Sequence, residues 1–225
     1  KSRSRYILIL LIFLFSFGKS YSNEIEFEAK EINITNEGNF IDDKRSGKGI
    51  LYYQSGEKNY EGDWIDGRRS GYGIYYYENG NKGYEGNWFE DKRTGKGISY
   101  FENTLKEYEG SYYDGKYHGF GIKYFKNQKV EYEGNWEKGK KQGKGKYYYN
   151  TGVKYNGDWH DDVRCGNGLE IYPDGDSYDG DWYNNERHGF GIYYFSNGNR
   201  YEGDFKNNKK NGKGKEYYSN GNILN

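Results

Sequence analysis

The pentapeptide YEGDW, residues Tyr60 to Trp64, and the glycine pair Gly71/Gly73 that follows it decide the fold of this chain. The same order, an aromatic-acidic-glycine pentapeptide and then G-x-G, recurs along most of the sequence. Successive pentapeptides start 24 residues apart up to Tyr132 and 23 residues apart after it. The other copies are NEGNF (36–40), YEGNW (84–88), YEGSY (108–112), YEGNW (132–136), YNGDW (155–159), YDGDW (178–182) and YEGDF (201–205).

Each unit places its G-x-G eleven residues after the first residue of the pentapeptide. Self-similarity at a fixed period is typical of repeat proteins, whose units bury a shared core only when they stack. We therefore predict eight units, starting near residues 36, 60, 84, 108, 132, 155, 178 and 201. The predicted structural core of the repeats is Tyr60, Trp64, Gly71, Gly73, Tyr84, Trp88, Gly95, Gly97, Tyr108, Gly119, Gly121, Tyr132, Trp136, Gly143, Gly145, Tyr155, Trp159, Tyr178, Trp182 and Tyr201.

Alternation within the pentapeptide predicts a strand, because Tyr60, Gly62 and Trp64 point to one face and the acidic residues to the other. The polar stretch 65–70 is typical of a turn, and the G-x-G with its aromatics predicts a second strand. Glycine is poor in strands unless another group needs its space, so we expect the facing rings to lie against these glycines. Tyr76 and Tyr77 fall on opposite faces of the second strand, which leaves open which face is the core.

The predicted fold class is all-β: an elongated, twisted, single-layer solenoid of stacked antiparallel β-hairpins, preceded by a hydrophobic N-terminal helix. One hairpin of this size is not stable alone, whereas stacked hairpins cover one another's edges. Sixteen strands at a spacing of about 4.8 Å make a ribbon about 75 Å long. The last hairpin leaves a strand edge exposed, so a homodimer through the C-terminal edge strand is one expected form of self-association.

The N-terminal residues 1–22 form a separate segment. Three basic residues lie between Lys1 and Arg5, and residues 6–17 are almost purely apolar. This pattern is typical of a secretory signal peptide, with a cut before Asn23; an uncleaved membrane anchor is the alternative. The chain is therefore predicted to be exported (secreted, periplasmic or at the cell surface) or anchored in a membrane. Residues 23–35 are predicted to form a cap strand in front of the repeats.

Composition indicates a thin aromatic core and excludes some functions. The 34 basic and 34 acidic residues cancel, which removes the global argument for nucleic-acid binding. Aromatic residues make up 20% of the chain, and each can bury a large apolar area while its polar tip stays in water. A single cysteine, Cys165, allows neither an internal disulfide nor a cysteine metal cluster.

Motifs of catalytic chemistry are missing from the sequence. The repeated G-x-G pairs lack the third glycine and the following helix of a dinucleotide site, and no hydrolase, metalloprotease or kinase motif occurs. His118, His188 and Cys165 stand at equivalent positions of their units, where we expect exposed turn residues and no metal ligands. The sequence therefore predicts a protein that is not an enzyme and that has no catalytic residues, metal or cofactor.

Basic residues recur at two positions after the pentapeptides, and they are the one candidate binding feature. Stacked hairpins would place these residues along one edge at intervals of about 10 Å. Such a row could hold anionic lipid head groups or an anionic polymer, or it is a solvated ladder of turns whose field Asp66, Asp91, Asp114 and Asp161 partly cancel. The candidate anion- or lipid-contact edge is Lys44, Arg45, Arg68, Arg69, Lys92, Arg93, Lys116, Lys140, Lys141, Arg164, Arg187, Lys209 and Lys210.

The signature of Y-E-G-x-W, G-x-G, aromatics and N-G at a 23–24-residue period resembles the MORN repeat, over residues 36–225. The resemblance implies an elongated ribbon of β-hairpins and roles in membrane attachment, phospholipid contact, scaffolding or dimerisation. The catalytic domains that accompany these repeats in some relatives have no counterpart here. Departures from the pattern are Asn36 in place of Tyr, Tyr112 and Phe205 in place of Trp, and Asn156 and Asp179 in place of Glu. An export signal is unusual for a cytosolic scaffold of this family, which puts a cytoplasmic phosphoinositide role in doubt.

The predicted function is a non-enzymatic scaffold or interaction module that attaches to membranes or anionic phospholipids. Its predicted partners are proteins, an anionic membrane surface or both, and no nucleic acid. The alternative is an exported surface protein that binds a glycan or another ligand through the aromatic face of its hairpins. Selectivity between acidic liposomes and glycans discriminates the two hypotheses.

Overall fold

The computed structural model of this protein describes residues 37–224, which form one open sheet of sixteen antiparallel strands. Hydrogen-bonded neighbours in the sheet are always consecutive in sequence, so the sheet is a ribbon of hairpins. The strands are β1 (Glu37–Ile41), β2 (Lys44–Tyr52), β3 (Lys58–Ile65), β4 (Arg68–Tyr76), β5 (Lys82–Phe89), β6 (Lys92–Tyr100), β7 (Lys106–Tyr113), β8 (Lys116–Tyr124), β9 (Val130–Glu137), β10 (Lys140–Tyr148), β11 (Lys154–His160), β12 (Val163–Ile171), β13 (Ser177–Tyr183), β14 (Glu186–Tyr194), β15 (Arg200–Lys206) and β16 (Lys209–Tyr217).

This architecture confirms the predicted all-β fold class. The predicted N-terminal helix, the signal or anchor segment 1–22 and the cap strand 23–35 lie outside the described residues. Within residues 37–224 the structure has no helix of the length and apolar character needed to span a bilayer.

The turn that follows each pentapeptide is shorter than the sequence suggested. In the second unit only Asp66 and Gly67 form the turn, and β4 already begins at Arg68. Asp66 takes a left-handed φ of 49° and Gly67 a φ of 80°, which is the backbone of a tight hairpin turn. The basic pairs are therefore the first two residues of the even-numbered strands, where strand alternation sends their side chains to opposite faces.

Aromatic side chains on one face of the sheet form the core. Tyr60 is fully buried, and its ring contacts Trp64 of its own unit at 5.0 Å and Trp88 of the next at 5.5 Å, both edge to face. Such pairs stabilise a protein beyond the area they bury, by about 0.5–1.5 kcal/mol each. The buried core is Tyr60, Trp64, Tyr84, Trp88, Tyr108, Tyr112, Tyr132, Trp136, Tyr155, Trp159, Tyr178, Trp182, Tyr201 and Phe205.

The two glycines of G-x-G serve different needs. A Cβ on Gly73 would lie 2.1 Å from the Tyr60 hydroxyl oxygen, so the ring of the facing strand rests directly on this backbone. Gly71 has a φ of 84° and lies where the pairing of β3 with β4 shifts register. The first glycine thus forms a β-bulge, and the second makes room for the tyrosine.

Hydrogen bonds satisfy the polar tips of the core aromatics, and those of the five tryptophans reach the preceding unit. The Trp88 Nε1–H donates to the Gly73 carbonyl at 3.2 Å, and the Tyr60 hydroxyl donates to the Asp63 carbonyl at 3.1 Å. These polar tips are satisfied while the rings stay buried, as buried aromatic residues require. Burial raises the pKa of the Tyr60 hydroxyl well above its ordinary value of 10.0.

The face opposite the core is half-exposed and mixed in character. Tyr75 pairs with Tyr60 and packs against the core, whereas Tyr76 turns to the other face, where its hydroxyl donates to Glu61 at 3.4 Å. Tyr77 follows the end of β4 and donates to the Tyr100 carbonyl of the next unit at 2.8 Å. The sequence left undecided which of Tyr76 and Tyr77 faces the core. Tyr76 lies on the face opposite the core, which we call the open face.

Candidate binding surfaces

The second cation of each basic pair lies over the aromatic core. The Arg69 guanidinium carbon is 4.4 Å from the centre of the Trp88 ring, and that of Arg164 is 4.2 Å from the centre of Trp182. A single-layer sheet has no second layer to cover its core, and a guanidinium can stack on rings while its nitrogens remain hydrated. The cations in this position, here called the inner column, are Arg45, Arg69, Arg93, Lys141, Arg164, Arg187 and Lys210.

The first cation of each pair projects into solvent. The side chain of Arg68 is 57% exposed and that of Arg69 is 25% exposed; for Lys140 and Lys141 the values are 53% and 18%. The predicted basic edge therefore divides into two columns with different surroundings. The exposed cations, here called the outer column, are Lys44, Arg68, Lys92, Lys116, Lys140 and Lys209.

The fourth unit shows what the inner column does. Tyr117 replaces the second cation there, and its ring stacks on Tyr108 at 3.8 Å with an interplanar angle of 11°. An aromatic ring and a guanidinium share a flat shape, and either one covers the tyrosine beneath it. The inner position thus requires a group that packs on the core, with or without a charge.

Acidic side chains of the next unit pair with the outer column. Arg68 forms an ion pair with Glu90 at 3.3 Å, Lys140 pairs with Asp161 at 3.3 Å, and Lys92 pairs with Asp114. Exposed ion pairs of this kind contribute at most about 1 kcal/mol. An anionic surface can therefore replace these carboxylates as the partner of the outer column at small cost.

A row of exposed apolar side chains runs beside the outer column. Ile65 and Phe89 directly follow the pentapeptide, so alternation places them on the open face, and their side chains are 60% and 65% exposed. Each lies opposite an outer cation, Ile65 across from Arg68 and Phe89 across from Lys92. The sequence interpretation missed this row, although the position after each pentapeptide would have revealed it. The exposed apolar members are Ile41, Ile65, Phe89 and Tyr113, opposite Lys44, Arg68, Lys92 and Lys116.

This combination is confined to the first four units. At the position of Ile65 the later units carry Glu137, His160, Tyr183 and Lys206. Only Tyr183 among them is an exposed large apolar residue, and its partner across the hairpin is acidic. Units one to four thus carry a continuous surface of alternating apolar and basic side chains, which we call the apolar–cationic strip.

A second row on the open face consists of the middle residues of the G-x-G triplets. Tyr72, Phe120 and Phe190 are 52%, 51% and 57% exposed. The middle residues of the other five triplets are Lys48, Lys96, Lys144, Asn167 and Lys213. Neighbouring exposed rings lie two or more units apart, about 19 Å by strand spacing, so no two of them can hold the faces of one sugar ring.

The histidines and the cysteine lie in strands and not in turns. His118 of β8 and His188 of β14 are half-buried, with ring centres 5.5 Å from Tyr113 and 5.6 Å from Tyr183. The expectation of exposed turn residues was wrong, because the turns end before these positions. Burial raises the pKa of the Cys165 thiol above its ordinary value. No cluster of three His, Cys, Asp or Glu side chains that could hold a metal occurs among residues 37–224.

The comparison with protein families agrees with the repeat pattern. The family described as MORN repeat matches eight segments, residues 37–58, 60–82, 84–104, 108–130, 132–154, 155–177, 178–200 and 201–223. The curated proteins contain no match. Among solved structures, the chain is similar to the TCP domain of SAS-4 from Drosophila melanogaster, solved with a proline-rich motif of Ana2, at 13% identity and a TM-score of 0.34, over 94% of this chain and 84% of that one. A mutant TCP10 domain of CPAP from Danio rerio matches at 12% identity and a TM-score of 0.27, over 84% of this chain and 91% of that one.

Sequential hairpins, a one-sided aromatic core and a 23–24-residue period define a tandem β-hairpin repeat protein. Because the family matches span most of the chain, the protein belongs to the MORN repeat family. Membership of this family indicates a repeat scaffold or interaction module. The recognition made from the sequence is confirmed.

Proposed function

We propose that this protein is a non-enzymatic interaction module that attaches to anionic membrane surfaces through its apolar–cationic strip. The observation that carries the proposal is the alternation of exposed apolar side chains with exposed cations in four successive units. The inner column, which lies over the core, takes no direct part in this contact.

The chemistry of the strip suits the interface of a bilayer. Aromatic and aliphatic side chains such as Phe89 and Ile65 gain free energy when they enter the headgroup region, and aromatic rings favour that depth. Each cation near an anionic surface adds about 1 kcal/mol. Spaced about 10 Å apart along one edge, several of these side chains can contact a flat surface together.

Co-sedimentation of residues 23–225 with liposomes tests this function. Replacing Ile65, Arg68, Phe89 and Lys92 with Ser should lower binding to acidic vesicles at least about tenfold, because the change removes two cations and two apolar groups. The matched control replaces Lys140, His160, Tyr183 and Lys206 with Ser, in the units where the strip is interrupted, and should bind nearly as the parent does.

Salt and lipid charge provide the second criterion. Binding should weaken as salt increases and should be far weaker on neutral vesicles, since screened charges contribute less. Equal losses in the strip variant and the control, or binding that salt and lipid charge leave unchanged, would contradict the proposal and direct the search to protein partners.

A second candidate function is glycan binding through the open face. Its support is the exposure of Tyr72, Phe120 and Phe190, since aromatic rings can stack on sugar rings. Their wide spacing favours a long polymer that touches each ring separately. Replacing the three with Ser should abolish glycan retention and leave liposome binding intact if this function is the correct one.

Export belongs to the same proposal. The basic and apolar pattern of residues 1–22 supports delivery of the repeats outside the cytosol, or their attachment to a membrane by this segment. A fusion of residues 1–36 to a reporter that is active only after export tests it. Cytosolic retention of the reporter would contradict the proposed location.

A further inference from the structure

We propose that copies of this chain join head to tail, with β16 of one copy pairing with β1 of the next in the register that repeats use within the sheet. The partner is a second copy of the chain. This inference goes beyond the proposed membrane contact because it uses the two ends of the sheet and not its apolar–cationic strip.

The two end strands offer complementary edges. Within the sheet, the second strand of one unit pairs with the first strand of the next: β14 pairs with β15, with Gly189 opposite Phe205 and Gly191 opposite Gly203. Among the described strands β16 pairs only with β15, and β1 pairs only with β2. The same register places Gly212 of one copy opposite Phe40 of the next, and Gly214 opposite Gly38. Glycine meets glycine at this junction as it does at the junctions inside the sheet.

The described residues after β16 contact only the last two positions of its outer edge. Ile223 forms a bridge with Tyr217, and the Leu224 N–H donates to the Glu216 carbonyl at 2.8 Å. Among the described residues, the stretch from Lys209 to Lys215 pairs with β15 on one side and with no strand on the other.

Charges at the two ends reproduce an internal junction. Between units five and six, Lys140 pairs with Asp161 and Lys141 with Asp162, each at 3.3 Å. At the ends, Lys209-Lys210 and Asp42-Asp43 occupy the equivalent positions. Asp43 also interacts within its own chain, so Lys209 and Asp42 are the pair that meets across the junction. In the same register Lys215 lies opposite Glu37, which adds a second pair of opposite charges.

Phe40 provides the apolar part of the junction. Its side chain is 51% exposed, whereas Phe205 at the same position of the last unit is 4% exposed. Phe205 is buried because its ring meets Tyr178 of the preceding unit edge to face at 4.9 Å. Tyr201 of a preceding copy would offer Phe40 the same surface. Addition of a second copy therefore continues the aromatic core across the junction.

Charge also decides against the symmetric arrangement. Pairing β16 with β16 of another copy would bring together two strands that each carry Lys209, Lys210, Lys213 and Lys215. Like charges that face each other across strands are destabilising. A head-to-tail contact does not close on itself by symmetry, so it produces chains of variable length and not a dimer.

A charge-swap experiment on the full chain tests the proposal. The head variant carries Glu37→Lys and Asp42→Lys, and the tail variant carries Lys209→Glu and Lys215→Glu. Sedimentation velocity should show that the weight-average mass of the wild type rises with concentration beyond two chains. Each variant alone should associate at least about tenfold more weakly, because like charges then meet at every junction.

Mixing the two variants provides the decisive measurement. Every junction between a head variant and a tail variant again joins opposite charges, so the equimolar mixture should regain the mass of the wild type. The control carries Glu78→Lys and Lys146→Glu, two exposed charges away from the ends, and should assemble as the wild type does.

Four outcomes would overturn the proposal. They are a single-chain mass for the wild type at every concentration, as expected if residues 23–35 cover β1; failure of the mixture to regain mass; a change of assembly in the tail variant but not in the head variant, which indicates pairing of β16 with β16; and wild-type mass in both variants, which indicates association through another segment.

Discussion

At the residue scale, the fold depends on contacts that leave no room for a methyl group. Gly73 has no positive φ, so its backbone conformation suits any residue. Its requirement for glycine comes from the Tyr60 ring, which lies against it. The same contact recurs in the middle of the sheet, where a Cβ on Gly121 or Gly145 would lie 2.1 Å from the facing tyrosine hydroxyl.

Replacing Gly73 with Ala should therefore destabilise the sheet through packing alone. We expect a loss of about 3 kcal/mol in the free energy of unfolding, at the upper end of overpacking effects, measured by urea denaturation. The control is Gly115→Ala, a turn position with a φ of 78° and no atom within 4 Å of an added Cβ, which should lose about 1 kcal/mol because alanine disfavours a left-handed φ. A larger loss at Gly115 than at Gly73 would contradict this explanation.

At the element scale, four units have a bulge held by an acidic side chain, that of Asp63, Asp158, Asp181 or Asp204. Asp181 accepts hydrogen bonds from the Phe190 backbone N–H at 3.0 Å and from the Asn167 side chain at 2.7 Å. The first of these bonds lies beside Gly189, whose φ is 57°. An aspartate in fourth place of the pentapeptide thus fixes the backbone of the strand that follows it.

Removing this carboxylate should loosen the hairpin. Asp181→Ala is expected to cost about 1–2 kcal/mol, because the Phe190 N–H loses its partner, and faster amide hydrogen exchange at Phe190 should accompany the loss. Asp179→Ala, an exposed position on the same face, serves as the control and should change stability by less than about 0.5 kcal/mol. Equal effects of the two substitutions would argue against the role of Asp181.

Bulges also explain what the sequence pattern could not predict. Alternation predicted the odd-numbered strands and their buried Tyr60 and Trp64, since nothing interrupts the period of two there. In the even-numbered strands a register shift at Gly71 and another between Tyr75 and Tyr76 interrupt the alternation of side chains between the two faces. These shifts decide which side chains of the even-numbered strands face the core. They therefore also decide that Arg69 lies over the core and that Arg68 projects into solvent.

At the scale of the whole molecule, one layer of strands carries a continuous row of buried tyrosines. Burial raises the pKa of Tyr117 and of Tyr147 to about 12, and raises that of Tyr84 and Tyr132 well above the ordinary value. The folded state therefore favours the neutral phenol, and the unfolded chain loses its protons first as the pH rises. Many sites of the same kind contribute in the same direction.

Stability should accordingly fall at alkaline pH. The contribution of the buried phenols is fully present below pH 10.0, the ordinary tyrosine value, and is lost as the pH rises toward about 12, because the unfolded state then binds fewer protons. Circular dichroism and tyrosinate absorbance recorded during one titration should show sheet loss together with ionisation of the buried tyrosines. Full ionisation of the tyrosines with the sheet intact would contradict this prediction.

The repeats, the strand order and the aromatic core follow from local patterns that return in every unit. The apolar–cationic strip does not, because it depends on positions that differ between units: Ile65 and Phe89 stand where Glu137 and His160 stand later. A repeat pattern is defined by what the units share, so it does not show the positions at which they differ. The separation of the cations into two columns required the bulges and turns to be placed first.

The assignment of different tasks to the two cation columns is the central claim, and a matched pair of triple variants tests it most directly. One replaces Arg69, Arg93 and Lys141 with Gln; the other replaces Arg68, Lys92 and Lys140 with Gln in the same units. Urea denaturation should show a loss of at least about 2 kcal/mol for the inner set, whose cations cover core rings, and less than about 1 kcal/mol for the outer set. Equal losses, or a greater loss for the outer set, would contradict the account.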